Sequence, residues 1–366
     1  MRKKLILAKV LKYQKNYSTA RPYFNCTIIF NNRLVDLSTH NFLNKNFFNA
    51  ISFNKKINPV FNLNKRFYTT ISSNELKPWF LTGFTDAEGC FNITIAKNPT
   101  YIIGWRVQAR FIIEIHIKEI VTLNMIQKFF GGIGTITINP RKNSARYTVV
   151  NFNDIINIIV PHFNKYPLQS AKKIDYKLWK ECVNIMSDKK HLTQKGLEQI
   201  IKNKSAMNLG VSNQLKVEFP NVIPLIRPPF ITSDETLNPD WVSGFTEGDG
   251  SFFVNINSDT NHVRPVMSIG LNIREKPLLI KIQQFFEGIG YIYTSSSNNS
   301  VEWKIGKLSH FNKVILHFNS YPLMGLKSYN FIIWREIISL IETKVHLTLE
   351  GLAKIKSLKD QLNKWD

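Results

Sequence analysis

The sequence predicts an α+β protein built as two homologous domains related by a pseudo-two-fold axis. Two observations carry this: a long internal duplication, and strands of period two set between helices in each copy. Pro78-Trp-Phe-Leu-Thr-Gly-Phe-Thr-Asp-Ala-Glu88-Gly89 recurs as Pro239-Asp-Trp-Val-Ser-Gly-Phe-Thr-Glu-Gly-Asp249-Gly250. Gly83, Phe84 and Thr85 return as Gly244, Phe245 and Thr246, while Asp86 becomes Glu247 and Glu88 becomes Asp249. The copying continues through Phe129-Phe-Gly-Gly-Ile-Gly and Phe285-Phe-Glu-Gly-Ile-Gly, then His162-Phe-Asn-Lys-Tyr-Pro-Leu and His317-Phe-Asn-Ser-Tyr-Pro-Leu. Trp179-Lys-Glu and His191-Leu-Thr recur as Trp334-Arg-Glu and His346-Leu-Thr. The unit is too long for a solenoid and reads as a dimer fused into one chain.

In chain order, residues 1–75 form a basic extension outside the repeat, 76–204 a first domain, 205–238 a linker and 239–366 a second domain. The extension lacks a sustained period and is expected to be poorly ordered, as a transit peptide or as a leader from a nested gene. Each domain opens on a helix. Asn238 before Pro239 has the form of an N-cap followed by proline at the first helical position. Next comes a strand with Phe91, Ile93 and Ile95 on one face, matched by Phe252, Val254 and Ile256. A longer strand places Val107, Ala109, Phe111, Ile113 and Ile115 inward, matched by Pro265, Met267, Ile269, Leu271 and Ile273. A helix, two more strands and closing helices complete the unit. Such alternation gives a sheet with one face packed and one face free. Pro220, Pro224, Pro228 and Pro229 exclude a long helix from the linker.

The 366 residues carry a formal charge of +22 and a hydrophobic fraction of 43%. That suffices for two cores and points to a nucleic-acid partner. Residues 1–76 hold 13 basic and 2 acidic side chains, half of the net charge, so the repeats are themselves basic. Cys26, Cys90 and Cys182 have neither zinc-ligand nor disulfide spacing, and no apolar run is long enough for a membrane span. Abundant Asn, Lys, Ile and Phe suggest an AT-rich, organellar genome. No Walker-type phosphate loop and no nucleophile elbow is present.

Gly83 and Ala87 share a helix face, as do Gly244 and Gly248. Small residues let two helix backbones approach closely. Pairing through these faces brings Glu88 and Asp249 to one end of the seam, at helix C-termini where the macrodipole disfavours negative charge. A divalent cation relieves both the dipole and the mutual repulsion, and carboxylates joined by water and phosphate suit Mg²⁺. A single such acid would read as a surface residue beside a C-cap glycine. A matched pair in a basic, duplicated chain favours the metal site.

The free strand faces offer Arg106, Gln108, Arg110, His116 and Lys118 in the first copy, and Arg264, Ser268, Asn272 and Arg274 in the second. Asn92, Thr94, Asn255 and Asn257 stand on the adjoining strands, and Arg141 and Lys142 in a turn. These side chains hydrogen-bond bases and phosphates, and β-ribbons fit the major groove. An ordinary solvated sheet face is the competing reading. Lys172 and Lys327, both following Pro-Leu-x-x-x, could stabilise pentacovalent phosphorus or shift the pKa of a water, or could be solvated residues at helix starts. His191 and His346 read as core or capping residues.

Leu81-Thr-Gly-Phe-Thr-Asp-Ala-Glu88-Gly89 and Val242-Ser-Gly-Phe-Thr-Glu-Gly-Asp249-Gly250 resemble the signature of the LAGLIDADG homing endonucleases, and the chain looks like the single-chain, two-motif kind encoded in fungal mitochondrial introns. The resemblance spans roughly residues 77–360. It implies two αββαββα halves with the signature helices at their interface and saddle-shaped antiparallel sheets in the DNA major groove. It implies that Glu88 and Asp249 bind metal, that the Ala87 and Gly248 carbonyls face it, and that Lys172 and Lys327 lie near the scissile phosphates. It implies Mg²⁺, with Mn²⁺ substituting and Ca²⁺ supporting binding only. Substrate would be double-stranded DNA, cut on both strands by a monomer in the mitochondrion, with no membrane partner. Some members act as RNA maturases, which leaves intron RNA as an alternative or additional partner. The chain departs from a uniform pattern by using Glu in one motif and Asp in the other.

Overall fold

The computed structural model describes residues 26–30, 33–37 and 75–364. An antiparallel hairpin pairs β1 (Cys26–Phe30) with β2 (Arg33–Leu37). Apart from Glu75, the remainder of the expected 1–75 extension lies outside the described residues.

The first copy runs α1 (Pro78–Glu88), β3 (Gly89–Lys97), β4 (Trp105–His116), α2 (Ile120–Phe129), β5 (Thr135–Asn139), β6 (Ser144–Val149), α3 (Val160–Lys165), α4 (Lys172–Ser187) and α5 (Gln194–Ser205). A short helix, α6 (Asn213–Glu218), lies in the otherwise extended, proline-bearing linker. The second copy runs α7 (Pro239–Asp249), β7 (Gly250–Ile256), β8 (Val263–Asn272), α8 (Lys276–Phe285), β9 (Tyr291–Ser295), β10 (Ser300–Ile305), α9 (Leu308–Ser320), α10 (Leu326–Glu342) and α11 (Leu349–Lys359). Each copy holds a four-stranded antiparallel sheet, ordered β3-β4-β6-β5 and β7-β8-β10-β9. The expected helix and strand order is therefore present twice.

Period two places the cores as expected. Phe91 faces Phe111 across the first ladder, and both are fully buried with Tyr147, Phe163 and Trp179. Phe252 pairs with Met267 in the second, buried with Trp303, Phe318 and Trp334. The remaining repeated blocks have local causes. In Phe-Phe-x-Gly-Ile-Gly, Gly134 and Gly290 have φ of 75° and 78°, which glycine adopts without steric cost. Gln127 and Gln283 donate to their carbonyls at 3.0 and 2.9 Å, fixing the turn from helix to strand. In the His-Phe-Asn-x-Tyr-Pro-Leu block, His162 and His317 each place Nε2 3.1 Å from a hydroxyl of the signature helix, Thr82 or Ser243. Those hydroxyls donate to the carbonyls of Tyr166 and Tyr321, tying each signature helix to its own domain. In the His-Leu-Thr block capping falls to threonine: Thr193 accepts from Gly196 and Thr348 from Gly351. His191 and His346 sit in the preceding 3-10 turns, half-buried.

Candidate active site

The signature helices α1 and α7 meet through the small-residue face. A Cβ on Gly83 would lie 2.1 Å from the Trp241 carbonyl oxygen, and one on Gly248 would lie 2.2 Å from Ala87 Cβ. Only glycine permits such backbone approach. Gly89 and Gly250, which follow the acids, have ordinary φ of −76° and −75°. Space is their reason, since a Cβ there would lie 2.4 and 2.5 Å from the Thr85 and Thr246 methyls.

Glu88 and Asp249 end the two helices at the same end of the seam. Burial, helped by Glu88's charge, pushes the Asp249 carboxyl up to about 6 against the opposing pull of Lys327 and Lys172. Electrostatic crowding of this kind is what a bound cation relieves. Among the described residues, no group of three or more His, Cys, Asp or Glu is placed to hold a metal.

The lysines lie at this centre as well. Lys172 donates to the carbonyls of Thr85 and Ala87 at 3.0 Å each. Lys327 donates to the Glu247 carbonyl at 2.7 Å and to that of Gly248. Each ammonium thus caps the negative end of its domain's signature helix, next to the acid. The Ala87 and Gly248 carbonyls, expected to face metal, are engaged by these ammoniums. Burial pushes Lys172 down, with Asp86, Asp249 and Glu88 opposing.

Sequence reasoning assigned no role to Asp86 and Glu247, both at most 4% exposed. Asp86 accepts from the Gln169 and Ser170 backbone N–H groups, from the Ser170 hydroxyl, and across the seam from Trp241 Nε1 at 2.8 Å. Glu247 accepts from Met324 and Lys327 N–H groups. These acids hold the segment that carries each lysine. Their acidity in both copies was the visible signal, but not the burial. Glu119 was also missed. It lines a 630 Å³ cleft with Glu88, Gly248 and Lys327. Burial, helped by the charges of Glu247 and Glu88, pushes its carboxyl up to about 7 against the opposing pull of Lys327.

The polar faces are largely where the alternation places them. Arg106, Arg264 and Asn255 are exposed; Asn92, Thr94, Gln108 and Arg110 are half-buried. Arg110 donates to Gln108 Oε1 from Nε at 3.0 Å and from Nη2 at 2.7 Å. Three placements correct the strand reading. Lys118 and Arg274 lie in the 3-10 turns Ile117–Glu119 and Ile273–Glu275, because β4 and β8 end where His116 and Asn272 cap those turns. Asn257 falls past β7, where its side chain holds the turn to Thr260. Ser268 is 5% exposed, since it lies on the central strand between Ser251 and Lys304. Arg141 and Lys142 form an exposed turn ended by Asn143 at φ 48°. The face also carries Arg146, which donates from Nε and Nη2 to one carboxylate oxygen of Glu114, and the exposed pair Tyr291 and Tyr293. Sequence reasoning passed over these because β5, β6, β9 and β10 are short.

A family model described as LAGLIDADG endonuclease matches residues 81–183 and 242–338. The chain is 33% identical over 306 residues to probable intron-encoded endonuclease 3 of Neurospora crassa, covering 81% of this chain and 56% of that protein. It is 36% identical to probable intron-encoded endonuclease 2 of the same fungus, covering 78% of this chain and 65% of that protein. It thus spans less than two thirds of the length of either relative. Among solved structures, the I-SmaMI LAGLIDADG homing endonuclease bound to cleaved DNA superposes with a TM-score of 0.76 at 33% identity, over 80% of this chain and 98% of that one. The same protein is also solved on an uncleaved DNA target in the presence of calcium ions, with a TM-score of 0.75 at 33% identity over 79% and 99% of the two chains.

Proposed function

This chain belongs to the LAGLIDADG endonuclease family, and from that premise we propose that it is an intron-encoded homing endonuclease, hydrolysing both strands of a long, asymmetric duplex with the help of divalent metal. The observation that carries the proposal is the pair Glu88 and Asp249, brought to one end of a glycine-packed seam with a lysine beside each. Double-stranded DNA as partner is supported by the basic charge of the repeats and by the DNA-bound state of the solved relatives. One chain supplies both acids, which supports a monomer. An AT-rich composition and intron-encoded relatives support the mitochondrion. Among the described residues, no helix is long and apolar enough to cross a membrane.

Glu88 and Asp249 would hold the metal. Two carboxylates with the remaining sites left to water and substrate phosphate are the donor set of Mg²⁺, and Mn²⁺ accepts the same ligands. When bound, the ion activates water and stabilises the leaving 3′-oxygen. The chain's own work is positioning. The seam sets the separation of the acids, Lys172 and Lys327 neutralise the helix ends, and Asp86 and Glu247 hold the lysine segments. The polar strand faces read bases, while basic residues around them neutralise phosphate. A maturase role has no observation of its own here, since RNA binding does not need the paired acids.

The test incubates the purified chain and Mg²⁺ with a library of long duplexes and sequences the ends. Double-strand breaks at a defined asymmetric sequence are expected, absent with Glu88→Gln and absent when Ca²⁺ replaces Mg²⁺. Breaks that persist undiminished in the Glu88→Gln protein would refute the reading.

A further inference from the structure

We infer that Glu275 is a positioning residue that reaches across the seam to set Lys172, so that one half of the centre depends on the other domain while the second half is self-contained. The inference rests on the nuclease reading above.

The two copies differ by one methylene at the buried acid, Asp86 against Glu247. In the second copy, Glu247 is long enough to accept from Met324 N–H and Lys327 N–H, both at 3.0 Å. Gly325 makes room for it: a Cβ there would lie 2.4 Å from Glu247 Oε1. Lys327 is thus held by an acid of its own domain. In the first copy the matching acid is Asp86, and Gly325 is replaced by Ser170. Asp86 accepts from Gln169 and Ser170 N–H at 2.8 and 3.1 Å and from Ser170 Oγ at 2.6 Å. It reaches Lys172 only through the serine, whose Oγ accepts the Lys172 N–H at 3.1 Å.

The next N–H, that of Ala171, is satisfied from the other domain. Glu275 Oε2 accepts it at 3.0 Å. Glu275 sits in the 3-10 turn after β8 and is 8% exposed. Burying a carboxyl costs free energy unless its bonds are made, so this reach is a determined contact. Arg227 of the linker holds the carbonyl of the same residue, donating to the Ala171 oxygen at 3.2 Å while paired with Asp175 at 2.6 Å. Ala171 immediately precedes Lys172, whose ammonium lies against the helix end that carries Glu88. The counterpart of Glu275 in the first copy, Glu119, lines the cleft beside Lys327. There, however, Glu247 already holds the lysine backbone.

Loss of Glu275 therefore displaces Lys172 and spares Lys327, and a displacement near 1 Å can cost on the order of 100-fold in rate. The experiment uses a supercoiled plasmid carrying a duplex that the wild-type chain cuts, with Mg²⁺, following nicked and linear forms and mapping each cut strand. For Glu275→Ala, one strand is expected to be cut about 10- to 100-fold more slowly than in the wild type, so nicked circles accumulate at unchanged DNA affinity. Glu275→Asp, too short to reach Ala171, should show the same strand bias and carries the comparison if the alanine variant does not fold. Glu275→Gln keeps an acceptor oxygen and should restore the wild-type ratio, which a general loss of stability would not do. If the wild type cuts while the Ala and Asp variants linearise without nicked circles, this inference is overturned and the nuclease reading stands. A wild type that cuts no duplex overturns both.

Discussion

A methyl group on Gly244 would lie 1.9 Å from the carbonyl oxygen of Phe80. The obstacle is backbone of the opposing helix, so no rotamer change relieves it. Gly244→Ala must push α1 and α7 apart or strain them, and overpacking of this kind costs about 1–3 kcal/mol. Chemical denaturation should show that loss. Because Glu88 and Asp249 ride on these helices, cleavage should fall much further than DNA affinity. A Gly244→Ala protein with wild-type stability and cleavage would mean that the helices do not pack through this face in solution.

The acids should separate cleavage from binding. Asp249→Asn removes a carboxyl that burial and Glu88 push up to about 6, and with it the anionic ligand. Double-strand cleavage should disappear while the affinity for the selected duplex in Ca²⁺ changes little, since phosphate contacts dominate affinity. Gel shift and cleavage on one substrate check this together. Loss of binding in step with cleavage would make Asp249 a structural residue instead.

Much of this centre was legible in the chain, and the reasons are specific. Glu88 and Asp249 announced themselves because the duplication marks equivalent positions, and the pairs Gly83 with Ala87 and Gly244 with Gly248 announced the seam because small residues four apart share a face. Strand faces followed from Phe91, Ile93 and Phe111, where period two has no rival. What the sequence concealed was chain meeting chain. That Lys172 caps α1 depends on an approach 84 positions after Glu88. That Asp86 is buried, and that Glu275 serves the other domain, depends on how the halves dock. Alternation places Lys118 and Arg274 on strands because it continues by chance past His116 and Asn272, which stop the strands by capping the turns that follow.

Recognition should show coupling between neighbours on β4. Gln108 holds the Arg110 guanidinium by two hydrogen bonds to one oxygen. This pre-sets the arginine and leaves the Gln108 amide NH₂ free to donate. Losing a bidentate base contact costs about 1–3 kcal/mol. Gln108→Ala should also loosen Arg110, so the double variant should cost less than the sum of the singles, with a coupling of about 0.5 kcal/mol or more. Binding of the four proteins to single-base variants of the selected duplex measures it. Strict additivity would mean the pair breaks on binding.

The two histidines that hold the signature helices, His162 buried and His317 half-buried, should make the fold acid-sensitive in a defined window. His162 and His317 are pushed down to about 4 by burial, from an ordinary 6.5. Each is held neutral against a signature-helix hydroxyl at 3.1 Å, with that hydroxyl donating onward to a tyrosine carbonyl. A folded pKa below the unfolded one means that the unfolded chain binds more protons between these values. Their contribution is therefore complete above about pH 6.5 and is lost as pH falls toward about 4, on the order of 3 kcal/mol for each. Glu119 and Asp249, pushed up to about 7 and about 6, act with the opposite sign: the stability they contribute is present at low pH and is lost as pH rises through those values. The histidine effect is thus read as a difference between proteins. His162→Gln and His317→Gln should each flatten the fall in stability between about pH 6.5 and 4 relative to the wild type, and the double variant should flatten it by the sum, because the sites lie in separate domains. Denaturation midpoints across that range provide the measurement. Parallel curves for wild type and double variant would show that neither ring is buried neutral.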